Sequence, residues 1–348
     1  MKLGAVPENF VERLASLFGL VPPGLLESWL GFMVARTMIT ATKLDVFEAL
    51  GTGWLTAEEV ADRCKTHPRA TEQLLNALVG VGCLKVRGDR YAMLRSFRSS
   101  ILKDAKSSFR GLMLFHFLEW RWWEHCEEYV RTGEPLRVHE TMTKEEWGVY
   151  QLGMRSGSAM HADWIAKQLP LPPTARTMLD IGGSHGYFSV AICRRSPQLR
   201  ATVLDLPEAI RHAAPLLARE GMGDRVVHRA GNALTDDLGA EAYDLVFLAS
   251  LVHHFDGVTN QELMGRIARA LRPGGIVAVW ETVPQDRTGR IRQMGALFDL
   301  YFGFSSEAGT WSAAEVAGWF RQAGLEVQEP RHPWIMPDLA LHIGRKPL

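Results

Sequence analysis

Two acids, a run of glycines and a pair of histidines are the residues whose types and spacing can do chemistry in this sequence. In Asp180-Ile-Gly-Gly-Ser-His-Gly186 an acid stands two residues ahead of Gly182 and Gly183, with Gly186 closing the run. Glycines there let the backbone turn sharply and let a ligand come close, and a helix opening behind them favours electron-rich ligand atoms. Asp205 ends the next apolar stretch, where a carboxylate can accept both hydroxyls of a ribose. The two acids therefore bracket one nucleoside. His253 and His254 follow a later apolar stretch. An imidazole suits proton removal because its pKa lies near the working pH.

These residues need strand ends to hold them, and the pattern supplies such ends. After Pro170-Leu-Pro-Pro173, apolar stretches at 177–181, 201–204, 226–228, 243–248 and 276–280 alternate with amphipathic helices, which argues for parallel βαβ units. Helices are expected at 187–194, 261–271 and 292–302, with Pro273-Gly-Gly275 stopping the second before the next strand, and weaker strands near 326–328 and 339–344. Asp180, Asp205, His253 and Glu281 all fall at the ligand-collecting end of such a sheet. Residues 25–102 read differently. Thr56-x-x-Glu59 is a capping box for a helix at 57–64, and a second helix follows Pro68 with Leu74, Leu75, Leu78 and Val79 on one face. Two short strands then flank Gly88-Asp89, which completes a winged-helix pattern. Residues 107–169 are helical in period, rich in tryptophan and broken near Gly133-Glu-Pro135. Three parts are expected: a winged-helix-like domain at 1–105, a helical linker and substrate-lining region at 106–170, and a Rossmann-like α/β domain with a mostly parallel sheet at 171–348.

Bulk properties exclude several classes. A chain of 348 residues with zero formal charge lacks the basic excess of a nucleic-acid binder. Its four cysteines, Cys64, Cys83, Cys126 and Cys193, lie far apart among apolar residues and form no C-x-x-C pair, so no metal cluster or disulfide framework is expected. Near the N-terminus Lys2, Glu8, Glu12 and Arg13 interrupt the apolar residues, so no signal peptide is expected, and no apolar run reaches bilayer length. A cytoplasmic protein without a membrane partner is expected.

A dinucleotide fingerprint requires G-x-G-x-x-G, and Ser184 occupies its second glycine, which counts against a dehydrogenase. An acid two residues before the first glycine fits a methyltransferase better. The segments Leu179-Asp-Ile-Gly-Gly-Ser-His-Gly186, Leu204-Asp-Leu-Pro207, Gly231-Asn232, Leu251-Val-His-His-Phe-Asp256, Leu271-Arg-Pro-Gly-Gly275 and Glu281 resemble, in order and spacing, the plant-type and bacterial small-molecule O-methyltransferases that use S-adenosylmethionine. That resemblance implies a class I methyltransferase fold whose winged helix serves a homodimer. It implies that Asp180 and Gly182 contact the cofactor's methionine end and Asp205 its ribose, that Asn232 stands at the adenine, and that Gly183, Gly186, Leu206, Ala233 and Met154 also bind the cofactor. It further implies His253 as general base and Glu281 as the carboxylate that orients it, with His254 as the substitute base. Ser184 stands where the family has a third glycine, Asn232 where it has an aspartate, and Thr310 near where it has a second glutamate. Asn232 can still accept from the adenine amine through its carbonyl oxygen.

The helical middle offers walls for an aromatic acceptor: Phe115, His116, Trp120, Trp123, Trp147 and Tyr150, with Asp299 reaching in from the helix at 292–302 and Trp122 turned toward a dimer partner. The resemblance favours a phenolic hydroxyl over an aliphatic hydroxyl, amine or carbon. Relatives on this fold that methylate carbon or nitrogen, or do other chemistry, remain alternatives. The rival from another class is a DNA-binding regulator, with Arg69, Lys85, Arg87 and Arg90 meeting phosphates.

Overall fold

The computed structural model describes residues 4, 6–7, 9–20, 22, 24–105, 108–285 and 289–348, so Lys2, Glu8 and Ser107 lie outside the described residues. The chain divides into two compact units, Lys2–Phe117 and Leu118–Leu348. Boundaries after residues 105 and 170 were expected. The helical stretch has no unit of its own, because Ala162, Ile165, Ala166 and Leu169 are buried in the same apolar cluster as the sheet that follows.

The N-terminal unit is a winged helix. Strands β1 (Leu55–Thr56), β2 (Leu84–Arg87) and β3 (Arg90–Met93) form an antiparallel sheet in the order β1-β3-β2. Thr56 caps the helix Ala57–Cys64, its backbone N–H donating to Glu59 at 2.8 Å and its hydroxyl accepting from the Glu59 N–H at 3.2 Å. Gly88, at φ 60°, makes the β2–β3 turn. Phe47, Leu50, Val60, Leu75 and Leu78 fill the core. The helix Leu25–Lys43 buries only Ile39, Ala41 and Thr42, and leaves Trp29 63% and Phe32 52% exposed.

The C-terminal unit is built on seven strands, β4 (Thr177–Ile181), β5 (Arg200–Asp205), β6 (Val226–Ala230), β7 (Tyr243–Ala249), β8 (Leu271–Thr282), β9 (Glu326–Val327) and β10 (Leu339–Arg345), in the order β6-β5-β4-β7-β8-β10-β9. The β4 to β8 pairings are parallel, and β10 runs antiparallel to both its neighbours. Alternate residues face opposite helical layers. Met178, Val203 and Phe247 pack with the helices Ala162–Gln168 and Tyr187–Arg195, while Leu179, Leu204 and Val246 pack with Gly257–Ala270 and Ala313–Gln322. Burial on both faces is why these strands read as unbroken apolar runs.

One boundary differs from expectation. The helix Gly257–Ala270 ends before Leu271, and Pro273-Gly-Gly275 lies inside β8 rather than ahead of it. Leu271 pairs with Tyr243, the register shifts, and Ile276 pairs with Leu245, so the turn residues form an irregularity within one strand. The sheet order reverses between β4 and β7, the place where open α/β sheets collect ligands at the C-terminal strand ends. Among the described residues no helix is long and apolar enough to cross a membrane.

Candidate active site

At the end of β4 Asp180 is 1% exposed. Its Oδ2 accepts from the Ser189 hydroxyl at 2.6 Å, whereas Oδ1 is buried without a hydrogen bond among the described residues. Burial pushes this carboxyl up to about 7, against the lowering effect of Ser189, and the Asp205 charge adds to the rise. The following glycines make that placement possible. Gly182 turns at φ 65°, and a Cβ on Gly183 would stand 2.5 Å from the Asp180 carboxyl carbon. A Cβ on Gly182 would meet Leu251 at 2.8 Å, so in both cases the chain's own side chains occupy the space a Cβ would need. Gly186, at φ 69°, caps the helix Tyr187–Arg195.

Ser184 also adopts the left-handed conformation, at φ 53°, which strains a residue other than glycine by roughly 1 kcal/mol. Its N–H donates to Asp205 Oδ2 at 2.8 Å, its carbonyl accepts from His228 Nε2 at 2.8 Å, and its hydroxyl donates to Gln151 Oε1. The Leu206 N–H donates to Asp205 Oδ1 at 2.7 Å. Burial raises the Asp205 pKa, and the hydrogen bonds from Leu206 and Ser184 oppose it. Beyond β6, Asn232 is exposed and its Oδ1 accepts from the Leu234 N–H at 2.9 Å, which leaves one lone pair on that oxygen. Ala233 beside it is half-buried. On the helix Lys144–Ser158 the Met154 carbonyl accepts from Ser158, whose hydroxyl lies 3.2 Å from His185 Nε2. Burial first, then the charges of Arg155 and His228, hold the buried His185 down to about 3.

His253 sits on a short turn after β7. The turn is pinned from several sides: the Val252 carbonyl accepts from Asn260 Nδ2 at 2.9 Å and Trp311 Nε1 at 3.0 Å, and the His253 carbonyl accepts from the Gly309 N–H at 3.3 Å. The imidazole is 4% exposed, and its Nδ1 lies 3.2 Å from both carboxylate oxygens of Glu281 at the end of β8. The Val252 N–H donates to Glu281 Oε1 at 3.1 Å, so the carboxylate holds the turn and the ring together. Phe302 stacks on the His253 ring at 3.7 Å between centroids and 9° between planes. The arrangement is a buried imidazole with one nitrogen committed to a carboxylate.

Further rings continue from His253. His254 lies 4.2 Å away between centroids, His139 a further 4.8 Å beyond it, and His139 Nε2 is 3.1 Å from the Tyr150 hydroxyl. Burial, with His253 nearby, holds His139 down to about 4, and burial with both neighbouring imidazoles holds His254 well below its ordinary value. Burial also raises the Tyr150 phenol. Asp299 is exposed and its Oδ1 accepts from the Thr310 N–H at 2.9 Å and from the Thr310 hydroxyl. Trp120 is half-buried, and Trp123 packs edge-on against Phe304 at 4.8 Å. One expectation fails here. Phe115 and Trp122 are buried within the chain, at 2% and 6% exposure, and lie seven residues apart on the helix Arg110–Trp122; Trp122 therefore does not turn outward. His116 belongs to the N-terminal unit.

The O-methyltransferase domain matches residues 129–326, and the O-methyltransferase dimerisation domain matches residues 26–96. The chain belongs to the S-adenosylmethionine-dependent O-methyltransferase family. Its relatives include the 3-hydroxy-5-methyl-1-naphthoate 3-O-methyltransferase of Streptomyces sahachiroi, 28% identical over 84% of this chain and 86% of that protein. Another is the N,N-dimethyltransferase OxyT of Streptomyces rimosus, 26% identical over 88% of this chain and 91% of that protein. The crystal structure of human N-acetylserotonin methyltransferase in complex with S-adenosylmethionine shares the fold, with a TM-score of 0.83 and 20% identity over 99% of this chain and all of that one. This O-methyltransferase is thus an enzyme of small molecules whose cofactor is S-adenosylmethionine.

Several residues that shape its candidate site carry no sequence signal. Gln151, His139, His228, Asn260 and Trp311 lie on separate elements and converge only through folding. The basic residues offered for DNA are partly committed: Arg90 pairs with Glu59 at 3.1 Å and Lys85 lies over Trp54 at 5.1 Å.

Proposed function

We propose that this enzyme transfers a methyl group to a phenolic hydroxyl of a small, largely aromatic acceptor, with His253 as general base and Glu281 as its orienting partner. The observation that carries the reading is the buried contact of His253 Nδ1 with both Glu281 oxygens at 3.2 Å. With Nδ1–H donating to the carboxylate, Nε2 is the nitrogen left to take the acceptor's proton, and the carboxylate stabilises the imidazolium that results. Phe302 and Glu281 fix the ring's plane, so little reorganisation remains for the proton-transfer step.

The residues around the glycine loop fit the cofactor. The orphaned Asp180 Oδ1 can accept from an ammonium group, Asp205 stands where ribose hydroxyls need an acceptor, and Gly182, Gly183 and Gly186 shape the turn between them. In this reading Leu206 and Met154 contact its sugar and sulfur side, and Asn232 and Ala233 its adenine. When bound, the cofactor supplies an electrophilic methyl group on a sulfonium. Trp120, Tyr150 and Asp299 are the candidate acceptor contacts in the C-terminal unit. The exposed apolar face of Leu25–Lys43 and the dimerisation-domain match support a homodimer. The four unpaired cysteines suit a reducing, cytoplasmic setting.

The test is labelled-methyl transfer from S-adenosylmethionine to a panel of phenolic and polyketide-like acceptors with matched amines. Label on a phenol oxygen is expected. Label appearing only on amines, the chemistry named for the S. rimosus relative, would overturn the phenol assignment.

A further inference from the structure

We propose that Gln151 holds the cofactor's ribose together with Asp205, its amide oriented by Ser184. Gln151 lies within the helix Lys144–Ser158 and is 1% exposed. Its Oε1 accepts from the Ser184 hydroxyl, while its Nε2 is buried with no hydrogen-bond partner among the described residues. A buried amide donor left unpaired is destabilising, and such groups in folded proteins have a reason. A ligand acceptor supplies one. Its place follows from Ser184, which joins the amide to the nucleoside acid: the Oγ bonds Gln151 and the N–H bonds Asp205 Oδ2 at 2.8 Å.

A hydroxyl both donates and accepts. A ribose hydroxyl donating to the Asp205 carboxylate can therefore accept from the Gln151 amide, which satisfies the orphan. The same bridge explains a serine at φ 53°, where glycine would be unstrained: only a side-chain hydroxyl presents Oε1 to the loop and leaves the amide N–H groups for the sugar. The inference rests on Asp205 being the ribose carboxylate, as proposed above.

Calorimetry on the full-length protein tests it with two probes, S-adenosylhomocysteine and methylthioadenosine. Both carry adenine and ribose, and the second lacks the amino-acid end. Gln151→Leu is expected to weaken both by about three- to tenfold, the scale of one hydrogen bond. Ser184→Gly is expected to weaken both while the ligand-free Tm stays level or rises, because the backbone strain is relieved and only the orientation of the amide is lost. Unchanged affinity of Gln151→Leu for both probes overturns the proposal. So does weakening confined to S-adenosylhomocysteine, which would put the amide at the amino-acid end, or a Ser184→Gly protein that loses Tm and keeps its affinity. Asp205→Ala separates the layers. If that variant still binds as the wild type does, the ribose placement itself fails; if it loses binding while Gln151→Leu does not, only the present inference fails.

Discussion

Asparagine in place of Asp180 changes one charge at nearly constant shape, and the surroundings of the carboxyl set the size of the effect. In the folded protein the carboxyl is 1% exposed, accepts one hydrogen bond from Ser189 and is pushed up to about 7 by burial. Unfolded, it titrates near the ordinary aspartate value of about 4. The folded state therefore holds the proton about three pH units more tightly, and each unit is worth about 1.4 kcal/mol. The sign follows: the favourable contribution is complete below about pH 4 and is lost as pH rises through about 7. At pH 8 the ligand-free wild type should be less stable than Asp180→Asn by up to about 4 kcal/mol, and the gap should close toward pH 4. Urea unfolding of both proteins without cofactor, at fixed protein concentration and pH 4.5, 6.5 and 8, measures it. Other titrating groups are common to both proteins and cancel in the difference. Stability curves that run parallel across that range would refute the argument that burial without a counter-charge sets this carboxyl. The same substitution should weaken S-adenosylmethionine binding, since the orphaned Oδ1 no longer carries charge for an ammonium.

For His253→Gln the expectation is unchanged cofactor affinity and a rate lower by at least about a hundredfold, the usual scale of general-base catalysis. Wild-type turnover in that variant would mean that alignment alone drives the reaction, or that His254 removes the proton. Trp29 and Phe32, at 63% and 52% exposure on the helix Leu25–Lys43, predict a dimer. Sedimentation showing a monomer at micromolar protein would contradict it.

How much was legible in the sequence depended on how local the cause was. The capping box at Thr56 involves side chains three residues apart, and it forms where expected. The strand at 177–181 also has the expected bounds, since its apolar run is buried on both faces. Pro273-Gly-Gly275 misled because a turn signal says nothing of a neighbouring strand: β7 accommodates it as a register shift. Trp122 misled because helical spacing shows which residues share a face but not which face is covered.

The sequence by itself determined the succession of strands from 177 to 280, the turns at Gly182 and Gly186 and the placing of Asp180, Asp205 and Glu281 at strand ends, because period, apolar run length and turn chemistry act over a few residues. Only the tertiary structure decided what those residues touch. Gln151 reaches Ser184 across 33 positions, His253 reaches Glu281 across 28 and Trp311 reaches Val252 across 59. Such contacts depend on how helices settle on a sheet and on which side chains lose their water together. The buried carboxyl of Asp180 and the Gln151 Nε2, without a hydrogen-bond partner among the described residues, arise at that level alone.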